Sequence, residues 1–262
     1  MINSTSLIHP QAIIEVGAVI GKNVTIGPWT HIAANVVIGD NCQISSHVVI
    51  NGPTTIGNGN RIFQFASIGE DCQDLKYAGE PTELVIGDDN VFREYCTVHR
   101  GTIQDNNLTQ IGSNNLFMAY THVAHDCMVG SHCILANGAS IAGHVHVGDH
   151  AIIGGMTGVH QFCHIGAHCF VGANSLILKD IPPYVMASGQ PAKPFGLNSE
   201  GLKRRGFDKE VILHIKRAYK AVYRQGLTVD EAMKKIAEGD TSIAELTFFT
   251  DFIKNSSRGI IR

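Results

Sequence analysis

Between Thr121 and Gly148 the chain carries five histidines, His122, His125, His132, His144 and His146, and Asp126 directly follows His125. Further on, His160 and Gln161 form a second polar pair. Imidazole titrates near neutral pH, so such groups can move a proton or bind a metal. In the first chemistry, neutral His125 is a general base that removes a proton from a substrate hydroxyl. Asp126 would fix the tautomer of the ring and favour the imidazolium as it forms. In the second, three histidines hold Zn²⁺ and activate water. A scaffold without catalytic activity is the third reading. The choice depends on which side chains face one another, and so on the elements that carry them.

Isoleucine stands at every sixth position from Ile2 to Ile68. After the interruption DCQDLKYAGEPTEL the same phase resumes at Ile86, Phe92 and Val98. A second interruption, RGTIQDNNLTQ, shifts the phase by one. The apolar series then runs from Ile111 through Phe117, Val123 and Val129 to Ile177. Gly often follows the apolar residue, and Asn is common three positions after it, as at Asn23, Asn35, Asn41 and Asn114. Both tolerate positive φ, so each hexad is expected to hold a short strand and a tight corner. A strict period of six matches neither an amphipathic helix nor simple strand alternation. It predicts a solenoid whose coils stack strands and bury an aliphatic column. The pattern resembles the hexapeptide-repeat proteins over roughly residues 2–180. That resemblance implies an all-β left-handed parallel β-helix, a triangular prism with three hexapeptides per coil. The general crossover rule favours the right hand, so the left hand follows from the resemblance alone.

All seven cysteines, from Cys42 to Cys169, fall four positions after a hexad apolar residue, a place shared with Val24, Val36, Ala139 and Ala151. This is a second, smaller inward position, where Cys acts as a small hydrophobe. Thirteen of the fourteen histidines lie in the repeats, and none occupies an inward position. Most are expected to be solvated, as at His9, His31, His47 and His150. With three hexads per coil, residues eighteen apart stack, and His125, Gly143 and Gln161 share a column. His144 and His160 flank that column, and His122 stands at the corner before His125. The Gly143 N–H could face a tetrahedral oxyanion, because glycine allows close approach. With the cysteines inward and no nucleophilic Ser or Cys in the column, direct transfer is favoured over an acyl-enzyme.

Composition narrows the function further. Residues 1–200 hold 7 Lys/Arg and 15 Asp/Glu, net −8, whereas residues 201–262 hold 13 and 8, net +5. Overall charge is −3, which gives no general attraction to nucleic acid. The basic tail suits an acidic partner or a phosphorylated substrate. No basic start leads into a long apolar run, and no stretch reaches the ~18 apolar residues of a membrane span. Scattered cysteines without CxxC point to a reduced, cytoplasmic chain.

The segments QDLKYAGEPT, AHDCMVG, GGMTGVHQFC, NSEGLKRRGF and FTDFIKNSSRGIIR closely resemble the UDP-N-acetylglucosamine acyltransferase family of lipid A biosynthesis. The matches span nearly the whole chain. The resemblance implies transfer of an R-3-hydroxyacyl group from acyl carrier protein to the 3-hydroxyl of UDP-N-acetylglucosamine, with no metal or other cofactor. It implies His125 as base, Asp126 as its support and Gly143 as the oxyanion contact. His122, His144, His160 and Gln161, with Gln73, Asp74 and Lys76 of the first insert, would line the sugar and acyl site. Asn198, Glu200, Arg204 and Arg205 would hold the nucleotide, and paired arginines suit a diphosphate. The family is homotrimeric, with clefts between prisms. A 3-amino analogue as acceptor and a zinc enzyme of the carbonic anhydrase type remain the alternatives.

The expected domains are a β-helix over residues 1–190, with inserted loops near 71–85 and 100–110, and a helical domain over 191–262. The four prolines of DIPPYVMASGQPAKPFG are expected to end the β-helix and lead into helices. DKEVILHIKRAYKAVYRQG, with Asp208 as N-cap, TVDEAMKKIAEG and SIAELTFFTDFIKNSS read as helical.

Asn137, Gly155 and Ala173 form a further eighteen-residue column, with Phe170 nearby, and the resemblance makes this the acyl-chain groove. Ala173 lies (173 − 125)/18, or about 2.7, coils beyond His125, roughly 13 Å at the strand spacing. In the family, glycine at the position matching Ala173 accompanies a longer chain and a bulky side chain a shorter one. Alanine predicts a groove somewhat shorter than the glycine form. Competition among donors of graded chain length checks this, and products confined to the longest family chain would refute it.

Overall fold

The computed structural model describes residues 2–239 and 243–262. The chain winds a left-handed parallel β-helix. Each coil lays one short strand on each of three faces, starting with Leu7–Ile8, Ile13–Ile14 and Val19–Ile20. The next coil pairs eighteen residues on: Leu7 with Thr25, Ile13 with His31, Val19 with Val37. Among the described residues the three sheets hold eleven, nine and eight strands.

The hexad residues fill the prism. From Ile20 to Ile177 each is at most 4% exposed, whereas Ile2, on the end coil, is 50% exposed. Full burial of each aliphatic side chain contributes roughly 1.5–3 kcal/mol, repeated at every corner of every coil. The second inward position is also buried; six of the seven cysteines fill it, Cys72 instead lies in the first insert, and all seven are free thiols. Asparagines enter the same position as a ladder. Asn60 Oδ1 accepts from the Asn90 N–H (2.9 Å), Asn90 Oδ1 from the Asn115 N–H (3.0 Å), and Asn115 Oδ1 from the Cys133 N–H (2.6 Å). Buried amides are thereby satisfied.

Corners are more varied than Gly and Asn alone would suggest. The third residue after most hexad apolar residues adopts positive φ even when large, as at Trp29, His47, Phe65, Tyr95 and Tyr120. These five rings stack outside the prism, with centroids 4.8–5.1 Å apart. Coil spacing equals ring-stacking distance, and the stacking offsets the left-handed backbone.

Both inserts are shorter than expected. Glu83–Ile86 and Leu108–Ile111 are already strands, so only residues 71–82 and 100–107 leave the ladder. Leu84 is fully buried and pairs with Thr54. The β structure also continues past residue 190. Val185–Gly189 pairs parallel with Phe170–Val171, and Ala192–Leu197 returns antiparallel on it. The prolines shape this hairpin rather than ending the sheet, and the helical part starts at Ser199.

Among the described residues four helices follow: α1 (Ser199–Arg204), α2 (Lys209–Tyr223), α3 (Val229–Ala237) and α4 (Ala244–Asn255). Asp208 is the N-cap of α2 without a side-chain cap bond, while Thr228 and Glu231 form a capping box on α3. The predicted segment SIAELTFFTDFIKNSS begins at Ser242, which lies outside the described residues. α2 buries Ile212, Ile215, Ala218 and Val222. The chain end returns to the prism, where Asp180 donates its N–H to Gly259 O (3.0 Å) and accepts from the Ile261 N–H (2.9 Å). Among the described residues, no helix is long and apolar enough to cross a membrane.

Phe92 and Phe117 stack inside the prism, centroids 4.7 Å apart and fully buried. Phe117→Ala is expected to destabilise the fold by about 3–5 kcal/mol, measured by denaturant unfolding.

Candidate active site

His125, Gly143 and Gln161 occupy the corner between the second and third faces in three consecutive coils. Backbone bonds fix the stack: His144 donates to His125 O and Phe162 to Gly143 O, each at 3.1 Å. A Cβ on Gly143 would lie 2.5 Å from Cε1 and 2.6 Å from Nε2 of His125. Only glycine leaves room for the ring. The Gly143 N–H donates to no protein acceptor among the described residues.

His125 Nδ1 is hydrogen-bonded to Asp126 Oδ2 at 2.8 Å. The Asp126 carboxylate is buried and held by the second insert. The Thr102 N–H donates to Oδ1 (2.8 Å) and the Thr102 hydroxyl to Oδ2 (2.7 Å). The Asp126 N–H in turn donates to Thr109 Oγ (2.8 Å). Burial alone would raise the Asp126 carboxyl, but hydrogen bonds from His125 and Thr102, with His144 nearby, outweigh it and hold it below its ordinary value. An ionised Asp126 keeps the His125 proton on Nδ1 and leaves Nε2 free to accept one.

A cleft of about 770 Å³ opens in front of the ring. Its walls include His122, His125, Gly143, His160 and Gln161 from the prism and Gln73, Asp74 and Lys76 from the first insert, all on the predicted list. His99, Leu75, Ser140 and Leu176 line it as well, and the sequence reading missed these. His99 directly follows an inward residue, so its register points outward, yet it is only 5% exposed in the wall it shares with the first insert. Its pKa falls to about 4, mainly through burial and then through the neighbouring His122, His125 and Arg100. His122 is also lowered, by burial and by His125. Its Nδ1 meets Thr97 Oγ at 2.7 Å. Arg100 pins the first insert through Gly69 O, Asp71 and the Tyr77 hydroxyl.

His144 takes a different place from the expected one. Its corner backbone, at φ 61°, turns the ring away from the cleft and onto Phe162, with centroids 4.3 Å apart. There Nδ1 meets Asp105 Oδ2 at 2.9 Å, and Nε2 stands 3.8 Å from Asp126 Oδ2. His125, Asp126 and His144 are the one group of at least three such side chains whose ligand atoms cluster, among the described residues. In it Asp126 Oδ2 already accepts from His125 and Thr102.

The other predicted groups lie on other corners of the same prism. Asn137, Gly155 and Ala173 do form a column, tied by Met156 N–H to Asn137 O (2.9 Å) and Asn174 N–H to Gly155 O (2.8 Å). That column is on the corner between the first and second faces. The 48 residues from His125 to Ala173 are eight hexads, not a multiple of three, so the two positions cannot share a corner. Phe170 projects from the first face, 36% exposed. Asn198 caps α1 and donates from Nδ2 to His168 O (2.9 Å), while Arg205 donates to His150 O (3.0 Å). Both sit on the third corner, where His132, His150 and His168 stack. Glu200 is exposed and paired with Lys203 at 2.7 Å, and Arg204 is exposed at the end of α1.

The cleft therefore offers an imidazole with a free Nε2, a buried carboxylate behind it and an unpaired N–H beside it, a set suited to deprotonating a hydroxyl and holding an oxyanion. It contains no activated nucleophile. The prism thiols point inward, and burial pushes Cys127 and Cys133 up to about 12; burial also raises the Cys72 thiol of the first insert. Ser140 makes no hydrogen bond to a histidine among the described residues, so it lacks the base a serine nucleophile needs.

Residues 180–261 match the family described as Udp N-acetylglucosamine O-acyltransferase, Domain 2. Residues 17–52 and 108–143 match the bacterial transferase hexapeptide repeat. The chain is 52% identical to LpxA from Acinetobacter baumannii, over 98% of this chain and 100% of that one, with a TM-score of 0.95. It is 45% identical to the UDP-N-acetylglucosamine acyltransferase of Francisella novicida, over 100% and 94%, with a TM-score of 0.89. Against the UDP-N-acetylglucosamine O-acyltransferase of Moraxella catarrhalis the values are 48%, 100%, 99% and 0.82.

A Gly143→Ala methyl needs roughly 3.5–4 Å from the ring, so His125 must shift by about an ångström. A crystal structure of the variant is expected to show that shift in an otherwise unchanged prism.

Proposed function

Because the chain belongs to the UDP-N-acetylglucosamine O-acyltransferase family, and so is an acyltransferase, we propose that it transfers an R-3-hydroxyacyl group from acyl carrier protein to the 3-hydroxyl of UDP-N-acetylglucosamine, the first step of lipid A biosynthesis. One observation carries this reading: His125, bonded to buried Asp126 through Nδ1, presents Nε2 to the cleft beside the unpaired Gly143 N–H.

The proposed sequence of steps uses these groups alone. His125 Nε2 takes the proton of the sugar hydroxyl as its oxygen attacks the thioester carbonyl. The Gly143 N–H holds the resulting oxyanion. As the tetrahedral intermediate collapses, the C–S bond breaks and the leaving thiolate takes the proton back from His125. Asp126 stabilises the imidazolium between these two transfers.

The separation of the three residue sets onto three corners supports a site completed by a neighbouring copy, in a homotrimer. In it, Asn198, Glu200, Arg204 and Arg205 of one copy would hold the nucleotide, and Asn137, Gly155, Phe170 and Ala173 would receive the acyl chain. Arg217, Lys220 and Lys235 of the tail surround an apolar hollow, a surface suited to an acidic carrier protein. Cytoplasmic operation belongs to the same proposal.

The test is acyl transfer from R-3-hydroxyacyl carrier proteins to UDP-N-acetylglucosamine in the presence of a chelator. Wild type is expected to be active, and His125→Ala to lose about 10²–10⁴-fold in turnover. Absence of wild-type transfer, with transfer to the 3-amino analogue instead, would reassign the acceptor. Loss of wild-type activity in chelator would return the zinc reading.

A further inference from the structure

The second insert enters the catalytic corner with two side chains, and the strand after it adds a third. Thr102 donates its N–H and its hydroxyl to the two oxygens of Asp126, at 2.8 and 2.7 Å. Thr109, where the insert rejoins the ladder, accepts from the Asp126 N–H at 2.8 Å. Asp105, at the tip, meets His144 Nδ1 at 2.9 Å. All of this surrounds a residue whose backbone is held at φ 57°, in the left-handed region. The insert closes tightly on itself: a Cβ on Gly101 would collide with the Leu108 backbone. Thr102 is 3% exposed and Thr109 fully buried. A loop that merely covered the prism would have no need to aim two donors from one residue at one carboxylate.

We infer that Thr102 is a positioning residue for acyl transfer, locking the Asp126 carboxylate so that His125 keeps its proton on Nδ1 and its lone pair on Nε2. The inference rests on the reading of His125 as the general base. Its geometry is specific. Asp126 Oδ2 is shared by the Thr102 hydroxyl and His125 Nδ1, and Oδ1 is fixed by the Thr102 N–H. Without the hydroxyl, Oδ1 keeps the Thr102 N–H but Oδ2 keeps only its bond to His125, and the carboxylate loses the contact that fixes its rotation independently of the ring. His144, whose Nδ1 is taken by Asp105 and whose Nε2 stands 3.8 Å from Oδ2, then competes for the same oxygen whenever its ring carries both protons. Turned that way, Asp126 no longer distinguishes the two nitrogens of His125.

Thr102→Val removes the hydroxyl but keeps the branched shape and the N–H, and Thr102→Ser keeps the hydroxyl. Two measurements separate positioning from folding. In steady-state transfer, Thr102→Val is expected to lower kcat about tenfold or more, the effect of losing one hydrogen bond to a charged group, with KM for UDP-N-acetylglucosamine unchanged. Thr102→Ser is expected to stay within about twofold of wild type. In ¹⁵N-histidine-labelled full-length protein, the His125 ring, assigned by loss of its signals in His125→Gln, is expected to be Nδ1-protonated in wild type and in Thr102→Ser. In Thr102→Val it is expected to be mixed.

An unchanged kcat and an unchanged tautomer in Thr102→Val would overturn the inference. So would an equal loss in both variants, which would mark a packing role. If wild type transfers nothing to UDP-N-acetylglucosamine, the functional reading fails, while the tautomer comparison still decides the role of Thr102.

Discussion

Stacking of one coil on the next eighteen residues later is the constraint on which everything else in this molecule depends. It gives the backbone N–H and C=O groups of the short strands partners in the neighbouring coils, which strands of two to four residues could not secure alone. It also places like positions over like positions. Apolar residues meet in the axis, rings meet on the corners, and any two side chains a whole number of coils apart become neighbours. The catalytic corner is one case of this geometry: Gly143 lies over His125 because eighteen residues separate them, and the absence of a side chain there is what gives the imidazole its place.

The inserts break the periodicity and put polar groups where the repeat cannot. A regular corner exposes its side chains, yet Asp126 is 2% exposed and His99 5% exposed. The first insert covers His99 and roofs the cleft, with Arg100 as its anchor. The second supplies donors that, together with His125, hold the buried Asp126 carboxyl below its ordinary value. A buried carboxylate without them would take up a proton. The prism thus supplies register, and the loops supply the dry, polar surroundings in which a histidine–carboxylate pair can work.

The period of six made the strands, the inward cysteines and the His125–Gly143–Gln161 column legible in the sequence, because each depends only on counting along one chain. Features outside the count were not legible. Thr102 and Asp105 lie in a segment with no period, so nothing placed them against Asp126 and His144. His99 falls 25 residues before Ala124, in the same register as Thr97 on His122, a spacing that shows only once the length of the insert is known. His144 was read by position as lining the cleft, but its left-handed backbone turns the ring onto Phe162. Val185–Gly189 and its antiparallel partner were hidden by prolines, which interrupt a helix more severely than they interrupt the rim of a sheet.

Six of the seven thiols, all but Cys72 of the first insert, are distributed along the axis, inward and unpaired, and burial raises those of Cys127, Cys133 and Cys169 to about 12. In the closed prism they are chemically silent, since thiolate and access are both lacking. Each becomes reactive only when its own coil opens. The chain therefore carries a built-in set of clocks from Cys42 to Cys169, and the order in which they react with an alkylating probe would record whether the prism frays from an end or parts in the middle.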